Sequence, residues 1–199
     1  MNIIVATKNK GKIREIEKIF SDLGVNVKTQ EEAGIEIDVE ETGDTFEKNA
    51  LIKARAVAML TEDIVLADDS GLCVEALDGA PGVYSARYAG DGATDADKIE
   101  KLLHNMEGEK KRNAKFVTCV AMVFPDGTEV CAEGEVHGNI LNEPAGDNGF
   151  GYDPVFYSTE LKKSFAEASD EEKNSVSHRG RALRALYDIV KDVINSKGE

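Results

Sequence analysis

The chain lacks the charge balance of a nucleic-acid-binding protein and the long apolar runs of a membrane protein. Its 24 Lys and Arg residues are outnumbered by 38 Asp and Glu residues, giving a formal net charge of -14. Such a chain repels polyanions as a whole, which argues against broad binding of DNA or of an anionic membrane. The longest apolar run, residues 119–124, is far too short to span a bilayer. We therefore expect no nucleic-acid partner and no membrane partner.

Cysteine is also scarce. Cys73, Cys119 and Cys131 are scattered, without a CxxC pair or a histidine at ligand spacing. This pattern predicts neither a disulfide framework nor a zinc site. The first ten residues lack the basic-then-apolar order of a signal peptide. We expect a soluble, cytoplasmic protein.

The order of apolar patterns predicts an α/β protein with a mixed sheet flanked by helices. Short buried strands are expected at residues 2–6 and 64–67, and residues 34–40 alternate apolar and acidic side chains like a strand. The segments 116–124 and 128–135, joined by PDG, predict a hairpin. With 199 residues and a hydrophobic fraction of 41%, the chain is expected to form one domain, 1–199, or two closely associated lobes.

A basic loop, VATKNKGK, follows the first predicted strand and precedes a predicted helix. Backbone N–H groups and the positive end of the helix dipole would then lie beside Lys8, Lys10 and Lys12, an arrangement that holds phosphate. The alternative is an ordinary turn with solubilising lysines. The loop is not a P-loop, because the spacing G-x-x-x-x-G-K-[ST] is absent.

An acidic pair, Asp68 and Asp69, ends the predicted strand in VLADDSG. Two carboxylates at the carboxyl end of a strand lie where α/β proteins bind ligands, and their repulsion calls for Mg²⁺ or a proton. Glu40 or Glu41 is a candidate for a further ligand. The alternative is an Asx turn with solvated acids.

Further candidates lie on a helix and in a glycine-flanked loop. Lys53 and Asn49 are one turn apart on one face of an alanine-rich helix, although a lone helical lysine is usually solvated. The loop GFGYDP carries Phe150 and Tyr152, whose rings could stack on a base. It also carries Asp153, whose carboxylate could accept hydrogen bonds from the edge of that base. A turn packed by its own aromatic side chains is the alternative.

Basic side chains gather at the start of the last predicted helix, in EEKNSVSHRGRAL. Cations are disfavoured at that end of a helix, so Lys173, His178 and Arg179 are expected to meet an acceptor. No GxSxG motif occurs, and the histidines lie in dissimilar contexts, which argues against acyl transfer.

Taken in order, these motifs resemble the inosine triphosphate pyrophosphatase family. The likeness runs nearly end to end, through ATKNKGK, EETGDTFEKNALIKA, ADDSGLCVEALDGAPGVYSARYAG, PAGDNGFGYDPVF and EEKNSVSHRGRAL. It implies an elongated mixed sheet flanked by helices, two lobes with an active-site groove between them, and a homodimer. It also implies Mg²⁺-dependent cleavage of ITP, dITP or XTP between the α and β phosphates.

The resemblance implies a role for each matching residue. Asp69 would be the general base, Lys53 would stabilise phosphate charge, and Glu40 with Asp69 would serve magnesium, with Glu41 as the alternative to Glu40. The substrate-binding residues would be Thr7, Lys8, Asn9, Lys10, Gly11 and Lys12 at the triphosphate, Ser70, and Phe150, Gly151, Tyr152, Asp153, Lys173, His178 and Arg179 at the purine.

Two rival functions are considered. One is a sensor that binds nucleotide without hydrolysing it, and the other is a related pyrophosphatase for pyrimidine or methylated nucleotides.

Overall fold

A computed structural model describes residues 2–22 and 24–196 of the chain. The α-helices are α1 (Lys10–Asp22), α2 (Phe46–Ala58), α3 (Asp95–Asn105), α4 (Asp170–Val176) and α5 (His178–Ser196). The strands are β1 (Ile3–Val5), β2 (Val27–Thr29), β3 (Ile64–Val74), β4 (Asn113–Val123), β5 (Glu129–Ile140), β6 (Phe156–Ser158) and β7 (Lys163–Ser164). Within these residues, no helix combines the length and the apolar character needed to cross a membrane.

The strands form one mixed sheet in the order β2-β1-β3-β4-β5-β6-β7. Strand β1 runs parallel to β2 and to β3, with Ile3 opposite both Val27 and Ile64. Strand β6 runs antiparallel to β5 and to β7. The predicted mixed sheet is therefore confirmed, and so is the hairpin, because the N–H of Phe124 donates to the carbonyl of Thr128 at 2.9 Å.

The chain divides into two compact units, and the first comprises the described residues among 1–69, 118–134 and 179–199. Its core has two apolar clusters that share the strands by alternation. Ile64 and Leu66 of β3 pack with side chains of α1 and α5, whereas Val65 and Ala67 pack with side chains of α2. Successive side chains of a strand point to opposite faces, so helices cover both faces of this part of the sheet.

The second unit comprises residues 70–117 and 135–178 and has its own core. Leu72 and Val74 of β3 pack there with Ile99 and Leu102 of α3. A cluster of aromatic rings joins them: Phe116 lies 4.7 Å from Phe156 and 6.0 Å from Phe165 between ring centroids. Each unit thus has an apolar core of its own.

The predicted strand at residues 34–40 is wrong, because this segment has no regular secondary structure. Ile35 is buried and Ile37 packs beside it against the α2 side of the core. The N–H of Ile35 donates to the carbonyl of Gln30 at 2.9 Å, in a turn rather than in a ladder. The alternation at residues 34–40 therefore arises because the segment buries every second side chain, although it does not join the sheet.

Shortening Leu102 to alanine tests the second core. The side chain is fully buried among apolar neighbours, so Leu102→Ala should lower the free energy of unfolding by about 2–5 kcal/mol in a denaturant titration. The control Leu60→Ala removes a side chain that is 56% exposed and should change that energy by less than about 0.5 kcal/mol. Equal losses in the two variants would contradict the described packing.

Candidate active site

The basic loop leads into α1 and is organised by Asn9. The Asn9 Oδ1 atom accepts from the N–H of Gly11 at 2.9 Å and from the N–H of Lys12 at 3.1 Å, which caps the helix. The Asn9 N–H donates to Thr7 Oγ1 at 3.3 Å. Lys8 is exposed and pairs with Asp38, while Lys10 is the exposed first residue of α1. The predicted loop-to-helix geometry is present, and the phosphate-binding roles of its residues stay predictions.

Strand β3 sends its two acidic side chains to opposite faces of the sheet. Asp68 continues the alternation of Ile64 and Leu66, and it contacts residues of α1 and α5. Asp69 continues the alternation of Val65 and Ala67, and it contacts residues of α2. The two carboxylates therefore do not form one shared acidic pair, and different cations contact them: Lys12 and Arg179 at Asp68, and Lys53 at Asp69.

On the first face, Asp68 lies at the centre of a buried ionic cluster. Its Oδ2 atom is 3.0 Å from Lys12 Nζ and 3.1 Å from Arg179 Nε. The Arg179 guanidinium also pairs with Glu15. Burial alone would raise the pKa of Asp68, but Lys12, Arg179 and Lys53 hold that pKa well below its ordinary value. Asp68 is thus ionised and serves to hold cations.

On the second face, Asp69 contacts polar side chains of α2. Its Oδ2 atom accepts from Asn49 Nδ2 at 3.0 Å, and its Oδ1 atom is 3.9 Å from Lys53 Nζ. Lys53 Nζ also donates to the backbone carbonyl of Asp68 at 2.6 Å. Burial raises the pKa of Asp69 above its ordinary value, although Lys53 and Lys12 oppose the rise. A carboxylate with a raised pKa is a stronger proton acceptor than a solvated one.

The adjacent glutamates Glu40 and Glu41 differ in position. Glu41 pairs with Lys53, the same ammonium that Asp69 approaches, and this places Glu41 in the cluster. Glu40 is exposed, and its role as a metal ligand stays a prediction. Within residues 2–22 and 24–196, no three His, Cys, Asp or Glu side chains group closely enough to hold a metal ion by themselves.

Magnesium is compatible with this donor set. At nucleotide sites Mg²⁺ commonly takes one or two carboxylates and completes its coordination with phosphate oxygens and water. Asp69 and Glu41 supply two hard oxygen donors next to one cation, Lys53. The residues present therefore fit a magnesium ion that is shared with a phosphate substrate.

The second unit carries the loop GFGYDP, residues 149–154. We call it the base-recognition loop after the role that the resemblance predicts for it. The buried Asp153 accepts at Oδ2 from the N–H of Phe150 at 2.9 Å and from Lys173 Nζ at 2.6 Å. Lys173 Nζ also lies 4.6 Å from the centroid of the Phe150 ring, a cation–π contact. Gly149 has a φ of 77°, and a Cβ there would collide with the Asp153 carboxylate. The structure thus brings Phe150, Asp153 and Lys173 together.

Tyr152 has a structural contact within the same loop. Its ring is buried, and its hydroxyl donates to the carbonyl of Ser85 at 2.9 Å. Ser85 Oγ in turn accepts from the N–H of Leu72 in β3 at 2.9 Å. These contacts connect the loop to β3 at Leu72, two residues beyond Ser70, which is itself half-buried.

His178 and Arg179 begin α5, yet they have different surroundings. The buried His178 ring stacks on Phe116, with centroids 4.8 Å apart. Arg179 is only 1% exposed, and its guanidinium contacts Asp68 and Glu15. The predicted acceptor for Arg179 is therefore a pair of carboxylates, while its reading of the purine edge stays a prediction.

Three residues that contact the candidate site residues were not predicted from the sequence: Glu15, Ser85 and Asp95. Glu15 follows Lys12 by three residues on a helix, a spacing that signals a shared face. Asp95 accepts at Oδ2 from the N–H of Gly151 at 2.7 Å. Ser85 and Asp95 reach their partners across 67 and 56 residues of sequence, so no local spacing could have revealed them.

A cavity of about 620 Å³ adjoins the base-recognition loop within the second unit. Ile99 and Leu103 of α3 line it together with Phe150 and Pro154. Its lining is mainly apolar, and Asp95 lies on it. The loop around Phe150 and the helix α3 therefore border the same cavity.

Comparison with known proteins identifies the family. The model of the Ham1 family matches residues 3–189. The chain belongs to the Ham1 family. It is 50% identical over 192 residues to the dITP/XTP pyrophosphatase of Thermoanaerobacter sp. (strain X514), covering 96% of each chain. It is 47% identical to the dITP/XTP pyrophosphatase of Bacillus anthracis, covering 94% of this chain and 95% of the relative.

A solved Ham1 structure supports the same assignment. The Staphylococcus aureus Ham1 protein superposes with a TM-score of 0.85 at 43% identity, covering 96% of this chain and 99% of that chain. The predicted family resemblance is thus confirmed. The Ham1 fold also agrees with the mixed sheet described above.

Removing the Tyr152 hydroxyl tests the tie between the base-recognition loop and β3. Because Tyr152→Phe leaves the buried carbonyl of Ser85 without this donor, it should lower the free energy of unfolding by about 1–3 kcal/mol. Tyr157→Phe removes the same group from a half-buried strand residue and serves as the control. No difference between the two variants in a urea titration would contradict the structural role of the Tyr152 hydroxyl.

Proposed function

We propose that this chain hydrolyses ITP, dITP and XTP between the α and β phosphates and releases the nucleoside monophosphate and pyrophosphate. The observation that carries the proposal is the buried Asp69 carboxylate, which lies 3.9 Å from the Lys53 ammonium and accepts a hydrogen bond from Asn49 at 3.0 Å. A proton acceptor beside a fixed cation is what hydrolysis of a phosphate anhydride needs. Two relatives, 47% and 50% identical to this chain, carry the name dITP/XTP pyrophosphatase and support the substrate class.

In the proposed reaction Asp69 accepts a proton from water as the water oxygen bonds to phosphorus. The anhydride bond between the α and β phosphates breaks, and its electron pair leaves with pyrophosphate. Lys53 stabilises the charge on the phosphate oxygens. Asn49 holds the Asp69 carboxylate by a 3.0 Å hydrogen bond and so fixes the direction in which the base acts.

Magnesium belongs to the same proposal. Asp69 and Glu41 would hold the ion, with Glu40 as the alternative to Glu41. When bound, Mg²⁺ neutralises phosphate charge and orients the substrate. The fit of two oxygen donors beside Lys53 supports this choice.

Base selection follows from hydrogen-bond polarity. Hypoxanthine and xanthine offer O6 as an acceptor, whereas adenine presents a donor at that position. Lys173 is a donor without an acceptor atom, and it lies 4.6 Å from the ring of Phe150, on which the base would stack. Lys173 Nζ already donates to Asp153 at 2.6 Å, so adenine would place its own amino donor against an ammonium that has no acceptor atom to offer. In sites built to pair a polar group, such a mismatch costs up to about 10⁴–10⁵ in rate.

The wider setting is also proposed. The family resemblance supports a homodimer that acts in the cytoplasm on a small-molecule nucleoside triphosphate. A mass measurement in solution tests the homodimer.

The activity is tested with purified protein and ITP, XTP, ATP and GTP, by separating the products. We expect ITP and XTP to give monophosphate and pyrophosphate, with ATP far slower. Chelation of Mg²⁺ should abolish turnover, and added Mg²⁺ should restore it. Asp69→Asn should lower the rate about 10²–10⁴-fold, as is typical of a lost general base.

The control for Asp69→Asn is Asp188→Asn, which alters a carboxylate on the exposed side of α5 and should leave the rate unchanged. Near-normal turnover of Asp69→Asn at saturating Mg²⁺ would refute the role of Asp69. Nucleotide binding without turnover in the unmodified protein would favour a sensor. Preferred hydrolysis of pyrimidine or methylated nucleotides would favour the related pyrophosphatase.

A further inference from the structure

Phe150, the proposed stacking residue, lies in a backbone segment that two carboxylates hold. Its own N–H donates to Asp153 Oδ2 at 2.9 Å, and the following N–H, of Gly151, donates to Asp95 Oδ2 at 2.7 Å. Gly149 and Gly151 both have positive φ angles, 77° and 62°. Because glycine gives the backbone wide freedom, these hydrogen bonds restrict the backbone that carries the Phe150 ring.

Asp95 is itself held firmly, although its side chain is 49% exposed. It is the first residue of α3, directly after the N-cap Thr94, whose hydroxyl and N–H form a capping box with Asp97. Its other oxygen, Oδ1, is 2.6 Å from Lys98 Nζ. The two carboxylate oxygens therefore have separate partners, one on the helix and one in the loop.

The helix that carries Asp95 is anchored in the core of the second unit. Ile99 and Leu102 are buried there, one turn and two turns further along α3. The Asp95 carboxylate thus connects the packed helix α3 to the glycine-rich loop through its hydrogen bond with the N–H of Gly151. A charge-assisted hydrogen bond to a backbone N–H is stronger than a neutral one.

We propose that Asp95 is a positioning residue for base recognition: by holding the N–H of Gly151 it sets the orientation in which Phe150 stacks on the purine. The proposal rests on the proposed function, because it assumes a purine ligand at Phe150. Asp95 does not touch the phosphates in this account, so its loss should affect the base end of the substrate alone.

The test measures binding of inosine monophosphate and of inorganic tripolyphosphate by calorimetry, so that it does not depend on turnover. Asp95→Ala removes the acceptor, and the Kd of the monophosphate should rise about tenfold, the change expected when one charge-assisted hydrogen bond is lost. The Kd of tripolyphosphate should not change. Unfolding of each variant is followed in parallel.

A conservative variant separates positioning from helix stabilisation. Asp95→Asn keeps an oxygen that accepts from Gly151 but removes the negative charge at the start of α3. We expect its monophosphate Kd to stay within about threefold of the unmodified protein, because the acceptor is kept. Glu107→Ala, which removes an exposed carboxylate just beyond the end of α3 and away from the cavity, is the control and should leave both constants unchanged.

Several results would overturn the proposal. They are an unchanged monophosphate Kd in Asp95→Ala, equal weakening of monophosphate and tripolyphosphate, a loss in Asp95→Asn as large as that in Asp95→Ala, and absence of monophosphate binding in the unmodified protein. Failure of the proposed function is distinguishable, because it would appear as monophosphate binding without hydrolysis of ITP. In that case the binding constants of the variants still decide the role of Asp95.

Discussion

The two-residue period of one strand separates the two buried carboxylates of the first unit. Asp68 and Asp69 are neighbours in sequence, but the pleat of β3 turns them to opposite faces of the sheet. Asp68 meets Lys12 and Arg179 on the α1 and α5 side, and Asp69 meets Lys53 on the α2 side. One carboxylate is consequently held ionised by two cations, while the other keeps a raised pKa.

The base-recognition loop in the second unit follows a different rule, because side chains hold its backbone where no ladder does. Asp153 and Asp95 accept from consecutive N–H groups at Phe150 and Gly151, and the Tyr152 hydroxyl reaches a buried carbonyl. The glycines allow the positive φ angles of the turn, and the carboxylates hold its backbone N–H groups by hydrogen bonds. Asp153 and Tyr152 are buried, and a buried polar group is costly unless its partners are present, so their contacts favour one arrangement of the loop.

Local patterns in the sequence predicted the features that depend on neighbouring residues, namely secondary structure and the faces of helices. Apolar periodicity predicted the mixed sheet and the hairpin, and the one-turn spacing of Asn49 and Lys53 placed both on one face, where the structure has both contacting Asp69. Alternation at residues 34–40 was misleading, because burial of every second side chain needs no strand partner. The expected acceptor is present for Arg179 at the start of α5, but spacing could not show that it is Glu15, which pairs with Arg179 across 164 residues.

The division of roles, in which Asp68 stabilises the fold and Asp69 is the proposed general base, is tested most directly by the free energies of unfolding of Asp68→Asn and Asp69→Asn at neutral pH. A carboxylate whose pKa is lowered on folding stabilises the fold when ionised, whereas one whose pKa is raised does not. Asp68→Asn should therefore lose about 3–5 kcal/mol, the usual cost of removing one partner of a buried ion pair. Asp69→Asn should be as stable as the unmodified protein or more stable. A larger loss in Asp69→Asn than in Asp68→Asn would contradict the division of roles.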